Sequence, residues 1–278
     1  MKNIKENFDK SVIDDFGFQW DKFNQKEMLL KNEPYFREYF SLLPKKYFNK
    51  EIIAFDAGCG SGRWAMFIAP KIKTLHCIEP SEKALNVAKK NLANNQNCIF
   101  ECSTINSSKI KEGTMDFGYS LGVLHHIPDT LSALESCVKK LKKDAPFLLY
   151  IYYRFDNKPF FYFLIWKVSD LLRKKICKLP FKSKIIITNM IAILFYYPLA
   201  KFSWFLNRIG IFNKNFPLYA YRNTSFYFMS NDALDRFGTK LEKRFTKKEI
   251  KIMMEKSGLE KISFREDIPF WVAIGYKK

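Results

Sequence analysis

The 278-residue sequence predicts an α/β protein with a doubly wound, mostly parallel sheet, and three observations carry that prediction. Short apolar runs recur at 51–56, 74–79, 98–101, 115–121 and 146–153, with helix-like stretches between them. Such alternation pairs successive strands in parallel, because each crossover is long enough to hold a helix. The first run ends in Asp56 and opens at once onto Gly58, Gly60 and Gly62. Near the end the pattern returns, with a helix carrying Ile250, Met253 and Met254 that ends near Gly258, then strands at 259–264 and 269–278.

Each element has its own justification. Ile52, Ile53, Ala54 and Phe55 form a run short and β-branched enough for a buried strand, and a helix is expected to begin at Arg63. Glycine suits the turn between them because it accepts positive φ and, lacking Cβ, lets a ligand approach the backbone. The spacing is G-x-G-x-G with an acid two residues before it. The third glycine of the dinucleotide fingerprint would fall at Arg63, and the Gly-Lys-Ser/Thr ending of a phosphate loop is absent. Thr74 to Ser81 reads as a second strand ending in Glu79, 17 residues past Gly62. A carboxylate there can accept hydrogen bonds from both vicinal hydroxyls of a ribose. Ser81 is placed to cap a helix whose Leu85, Ala88 and Leu92 share a face. Met115 to Leu121 suit a buried fourth strand, followed by Leu131, Leu134, Val138 and Leu141 at helical spacing.

The loop resembles the first motif of class I S-adenosylmethionine-dependent methyltransferases. The string TMDFGYSLGVLHHIPDT, residues 114–130, resembles the fourth-strand motif of methyltransferases related to the ubiquinone and menaquinone C-methyltransferases. FGFQWDKF, residues 16–23, is similar to an element that precedes the cofactor domain in many methyltransferases of bacterial small-molecule and cell-surface biosynthesis. The likeness covers 52–151 and 246–278. It implies a Rossmann-like sheet of about seven strands closed by an antiparallel strand, S-adenosyl-L-methionine as cofactor, and methyl transfer as the activity.

By the same resemblance the cofactor would be held by Asp56, Gly58, Cys59, Gly60, Gly62 and Arg63 in the loop, and by Glu79 and Pro80 after the second strand. Ser103 and Thr104 would follow the third strand and Leu121 would end the fourth. Trp20 would close over the ligand, with Gln19 beside it as a substrate contact. The chain departs from the family at Ser103 and Thr104, where relatives often place Asp-Ala; a hydroxyl can accept from the adenine amino group, but more weakly than a carboxylate. His126 is the candidate general base because it follows the fourth strand, where the sheet's C-terminal edge opens to ligands. His125 is a candidate substrate contact, with packing or capping of the next helix as its alternative.

Composition narrows the class further. A chain of this length can bury a core without disulfide staples. The six cysteines have no C-x-x-C pair and only three histidines accompany them, so no metal site is expected, and Cys98 and Cys102 are expected to be buried thiols. Met1 to Lys10 is charged and has no apolar stretch, which predicts a chain without a secretory signal, in the cytoplasm. The formal charge is +19, and it is uneven: residues 152–230 hold 13 Lys and Arg against Asp156 and Asp170, with 22 of the 47 aromatic residues. A segment of that kind attracts anionic partners.

The sequence thus divides into an N-terminal helical lid (1–50), a cofactor-binding core (51–151), a basic, aromatic, helical insertion (152–245) and a C-terminal return to the core (246–278). Within the insertion the run Ile185 to Ala200 covers 16 residues and ends near Pro198, short of the roughly 20 that a spanning helix needs. It is read as a packed cap, as a peripheral contact with an anionic membrane or, last, as a true span. The segment LYAYRNTSFY offers Tyr219, Tyr221, Arg222 and Tyr227 as substrate contacts, if it folds back over the cleft, or as an aromatic corner packed on the cap. The expected acceptor is a small-molecule or lipid-linked biosynthetic intermediate. Nucleic-acid methylation would use the positive charge, but no N/D-P-P-Y tetrapeptide or RNA-binding motif occurs. A noncatalytic cofactor-binding scaffold is the other alternative.

Overall fold

The computed structural model describes residues 7–24, 32–211 and 216–278. Seven strands form one sheet: β1 (Ile53–Ala57), β2 (Thr74–Ile78), β3 (Cys98–Glu101), β4 (Phe117–Leu121), β5 (Pro146–Tyr150), β6 (Leu259–Phe264) and β7 (Ala273–Lys277). Their order is β3-β2-β1-β4-β5-β7-β6; β1 to β5 run parallel, and β7 lies antiparallel between β5 and β6. The chain leaves β1 toward β2 on one side, while β4 pairs with β1 on the other. The loops after β1 and β4 therefore diverge, and the crevice between them is where open α/β sheets bind ligands.

Contacts divide the chain into two units, Met1–Tyr153 with Leu241–Lys278, and Arg154–Lys240. The first begins with α1 (Lys10–Lys22) and α2 (Glu33–Tyr39), and carries α3 (Ala65–Ile68), α4 (Glu82–Asn91) and α5 (Thr130–Lys140) between its strands. The second contains α6 (Phe160–Ile176), α7 (Phe181–Ile191), α8 (Tyr197–Arg208) and α9 (Phe226–Gly238). The first unit then resumes with α10 (Lys247–Lys256), which opens in a reciprocal capping box between Thr246 and Glu249. Ser81 caps α4 as expected, accepting from the Ala84 amide, and Asp129 rather than a histidine caps α5.

Alternation along the strands splits the first unit's core into two. Phe55, Phe147 and Leu149 pack toward Leu134, Val138 and Met254 of α5 and α10. Ala54, Phe117 and Leu148 pack on the other side with Ile68, Leu85 and Ala88 of α3 and α4.

Several boundaries differ from expectation. Residues 16–22 of the FGFQWDKF element form just over half of α1. The helix expected at Arg63 starts at Ala65 and spans four residues. The fifth strand stops at Tyr150, and Tyr153 makes an isolated parallel bridge to Phe245. Cys98 is half-buried and Cys102 is exposed, because β3 is an edge strand and Cys102 lies just past its end. In the second unit the helix does not end near Pro198. One π turn, Ala192–Tyr196, joins α7 to α8, giving a continuous helix of 28 residues, Phe181–Arg208. Proline removes an amide and crowds the preceding turn; a wider π turn just before it accommodates that loss. Among the described residues this is the one helix long and apolar enough to cross a membrane.

The sheet's centre has little spare volume. A Cβ on Gly118 of β4 would lie 2.2 Å from Cε1 of Phe55 on β1, and Phe55 is fully buried. Gly118→Ala should therefore destabilise the protein by about 1–3 kcal/mol. Urea denaturation of this variant and of Gly118→Ala with Phe55→Leu checks it: the second substitution, which removes the opposing ring, should reduce the coupling cost.

Candidate functional site

The site is assembled around the end of β2. The backbone N–H groups of Gly58 and Cys59 both donate to the Ile78 carbonyl, at 2.8 and 3.0 Å. One residue on, the Glu79 carboxylate accepts from the Gly60 amide at 3.1 Å and from the Ser81 amide at 3.0 Å. Three of these bonds tie the loop after β1 to the end of β2, and the fourth holds the Glu79 carboxylate within its own loop. Gly58 and Gly60 sit at φ +84° and +53°; a Cβ on Gly58 would fall 2.5 Å from Val123, and one on Gly60 would fall 3.0 Å from the Trp20 indole nitrogen. Glycine is thus required both for the backbone conformation and for close approach from above.

A cavity of about 1020 Å³, mouth included, lies at this edge, and every residue lining it comes from the first unit. Gly58, Cys59, Gly60 and Arg63 form one wall, Glu79, Pro80, Ser103 and Thr104 another, and Leu121 and His126 reach it from the end of β4 and the turn beyond. Trp20 closes it. Ser103 donates its hydroxyl proton to Glu101 at 3.0 Å, so the oxygen's lone pairs are what it can offer a ligand. Arg63, whose guanidinium lies 4.3 Å above the Trp64 ring, is the one Lys or Arg among the described lining residues.

The sequence did not single out the rest of the roof. Val12, Ile13 and Phe16 of α1 line the cavity, together with Asn7, Phe8 and Asp9 before it. The signal was present: Val12, Phe16 and Trp20 recur every four residues, one face of a helix. Asp9 caps α1, accepting from the Ser11 amide at 2.8 Å. Asn7 and the backbone of Asp129 exchange two hydrogen bonds of 2.8 Å, which anchor the start of this segment to the loop before α5. Farther along, α1 leans on α4: a Cβ on Gly17 would lie 2.3 Å from the Ser81 hydroxyl, and the Lys83 ammonium stands 3.5 Å from the centre of the Phe18 ring.

Other expected contacts fall elsewhere. Gln19 is buried but is not on the cavity wall, because it lies one residue around the helix from Trp20. Asp56 is buried inside β1, paired across to Cys77 and Tyr119, behind the wall; burial pushes its carboxyl up to about 8. Gly62 also misses the wall and lets Leu92 of α4 pack against the loop. Glu79 is on the wall, and burial raises its carboxyl to about 7 against the opposing pull of the Ser81 and Gly60 amides.

The adjacent histidines separate cleanly. Leu124–His126 form a 3₁₀ turn, whose residues point about 120° apart, so His126 reaches the cavity and His125 cannot. His125 is fully buried, its ring 4.0 Å from that of Tyr152, and burial holds it neutral, far below the ordinary histidine range. It is a packing residue and not a substrate contact. His126 Nδ1 lies 2.7 Å from the Leu241 carbonyl. A carbonyl only accepts, so this bond assigns the proton to Nδ1 and leaves the lone pair on Nε2 in the neutral ring.

Tyr219, Tyr221, Arg222 and Tyr227 belong to the second unit and are engaged within it. The Arg222 guanidinium stacks 3.8 Å from the Tyr219 ring, Tyr221 donates to Asp232 at 2.9 Å, and Tyr227 lies edge-on to Phe228. Within their unit they form an aromatic corner. Among the described residues no group of three or more His, Cys, Asp or Glu could hold a metal ion.

Residues 55–149 match the family model of a methyltransferase domain. A search of curated proteins gave no match. Among solved structures the chain is similar to the YcgJ protein of Bacillus subtilis, with 14% identity over 82% of this chain and 70% of the other, at a TM-score of 0.51. It is also similar to a putative methyltransferase of Bacillus halodurans, with 12% identity, 83% and 71% coverage and a TM-score of 0.52. A third likeness is to a chain of the complex between the Haloferax volcanii Trm112 methyltransferase activator and a putative methyltransferase, with 10% identity, 92% and 96% coverage and a TM-score of 0.54. Identities this low speak to the fold. The family match makes residues 55–149 a methyltransferase domain, with S-adenosylmethionine as its cofactor, and the solved structures share its Rossmann-like sheet.

The two raised carboxyls set a pH dependence of stability. Asp56 and Glu79 bind protons more tightly in the fold than at their ordinary values of 3.8 and 4.5. The stabilisation they contribute is therefore complete below those values and lost as pH rises through about 7 and about 8. The ligand-free protein should lose several kcal/mol of stability between acid and mildly alkaline pH by urea denaturation. Asp56→Asn should flatten the upper part of that decline.

Proposed function

We propose that the methyl acceptor is a small-molecule or lipid-linked biosynthetic intermediate, bound beside the cofactor in the cavity under α1. The observation that supports this is the enclosure itself. The cleft is walled by single side chains, is mostly apolar with a few convergent polar groups, and is roofed by Phe16 and Trp20, which is the kind of site that small molecules occupy. Its far wall, beyond Leu121, is Leu124, Ile127 and His126, an apolar surface with one titratable group.

The residues assign themselves by their chemistry. Glu79 would accept from both ribose hydroxyls, the Ser103 oxygen from the adenine amino group, and Arg63 would meet the methionine carboxylate. When bound, S-adenosylmethionine supplies an already activated methyl group. The protein's work is to align the acceptor and exclude water, and α1 does both by covering the loop. His126 Nε2 would take the proton that the attacking group sheds or, for an acceptor without one, orient it.

Glu79→Ala should weaken binding of S-adenosylhomocysteine by about 1.5–3 kcal/mol in calorimetry. Because the ionised carboxylate is the better acceptor, wild-type affinity should rise as pH passes through about 7, and the rise should vanish in Glu79→Gln. Affinity indifferent to both substitutions, in folded variants, would remove Glu79 from the site.

His126→Ala should lower turnover by about 10²–10⁴ while leaving cofactor affinity nearly unchanged. The acceptor for that assay can be found by comparing metabolites of strains with and without the protein, seeking a precursor one methylene lighter than a lost product. A loss of less than about threefold would return His126 to a structural role.

A further inference from the structure

Two helices of the second unit have their polarity reversed, while α9 buries Phe228, Met229, Leu234 and Phe237 in the ordinary way. Along the continuous helix Phe181–Arg208 the buried stripe is Lys184, Thr188, Ala192, Tyr196, Ala200 and Ser203, spaced by three or four residues. These are mostly small or polar. The opposite stripe presents Ile186, Met190, Ile193, Leu194 and Phe205, all more than half exposed. The same inversion holds on α6, where Phe160 (72%), Val168 (61%) and Leu171 (62%) face outward. Arg173 is buried, pairing with Asp170 at 2.7 Å and donating to the Thr239 and Lys240 carbonyls, and Arg236 donates to Ser169 at 2.6 Å. Of the large hydrophobic residues exposed among the described residues, all but Phe18, Ile99 and Ile252 belong to this unit.

Helices of water-soluble bundles bury the apolar stripe and expose the polar one. Contiguous exposed apolar surface on this scale marks a partner. Small and polar residues between helices, with large apolar residues outside, is the arrangement that lipid favours. The charges identify the same partner: no Asp, Glu, Lys or Arg occurs from Ile185 to Ala200, while Lys174, Lys175, Lys178 and Lys182 gather around the turn from α6 to α7. Outward-facing cations also rest on aromatic rings, Lys167 on Phe163 at 4.8 Å, Lys201 on Tyr197 at 5.5 Å and Arg208 on Trp204 at 5.2 Å. An apolar stem with a cation or ring at its edge fits the headgroup boundary.

We propose that this unit docks on an anionic lipid bilayer, lying in the plane of one leaflet with the exposed stripes of α6 and of Phe181–Arg208 against the acyl chains. A second copy is disfavoured as the cover, since 13 basic against two acidic residues over 152–230 would repel its twin. A transmembrane hairpin is disfavoured because its tip would carry four exposed lysines across the bilayer. The proposal concerns where the enzyme works and does not depend on which acceptor it methylates.

The test uses the full chain and flotation with vesicles of phosphatidylcholine, with and without phosphatidylglycerol. Wild type should float with the anionic vesicles, and added salt should release it. Replacing Val168→Ser, Leu171→Gln, Ile193→Gln and Phe205→Ser together should reduce binding by at least about tenfold. Neutralising Lys174, Lys175, Lys178 and Lys182 to Gln should remove the preference for phosphatidylglycerol. Both sets leave the first unit untouched, so binding of S-adenosylhomocysteine serves as the control for folding. Flotation unaltered by both sets would overturn the proposal, as would a wild type that ignores vesicles but self-associates through the apolar residues. Resistance to alkaline carbonate extraction would replace in-plane docking with a span.

Discussion

The end of β2 organises the whole ligand edge. Within two residues it provides one carbonyl that takes two loop amides and one carboxylate that bridges the loop after β1 to the residue that caps α4. If Gly58 and Gly60 carried side chains, Val123 and Trp20 could not approach the loop as closely as they do. The position of Gly60 then fixes where Trp20 can rest, and the Ser81 end of α4 fixes where Gly17 can rest, so α1 is set over the cavity from both sides. A buried carboxylate is costly, and the two amide bonds and partial contact with the cavity offset part of that cost. The residual destabilisation, expressed as a raised proton affinity, is the kind of local disadvantage that functional sites retain.

The histidine pair illustrates how backbone geometry allocates chemistry. Identical neighbours are given opposite fates by a single 3₁₀ turn. One ring is buried against Tyr152 and kept neutral, and the other is oriented by a carbonyl from the far end of the chain, where the first unit resumes. That link ties the position of His126 to the return of the chain at Leu241, so the group nearest the proposed acceptor is set by a segment remote in sequence.

Much of this was legible in the sequence because the decisive signals are local. The strand runs, the loop glycines, the cap at Ser81 and the acid at Glu79 each depend on a few consecutive residues, and the mostly parallel sheet follows from their alternation with helices. What was not legible depends on direction or on distant partners. Gln19 and Trp20 are neighbours, and only the phase of α1 decides which of them sees the cavity. Asp56 reads as a ligand because it precedes the glycines, but strand pairing to Cys77 and Tyr119 turns it behind the wall. Pro198 reads as a helix end until the π turn before it is seen. Outward-facing apolar stripes in the second unit cannot be inferred from composition, since an apolar run looks the same whether it faces protein or solvent.

The central claim is that one ligand is gripped by the strand-end loops and covered by α1. Hydrogen exchange with and without S-adenosylhomocysteine tests it most directly, since exchange reports local opening along the whole backbone. The account predicts ligand-dependent protection at 58–63, 79–81 and 103–105, with α1 protected in parallel and the second unit unchanged. Protection of the loops without α1 would contradict the lid, and protection that bypasses 58–63 would contradict the site.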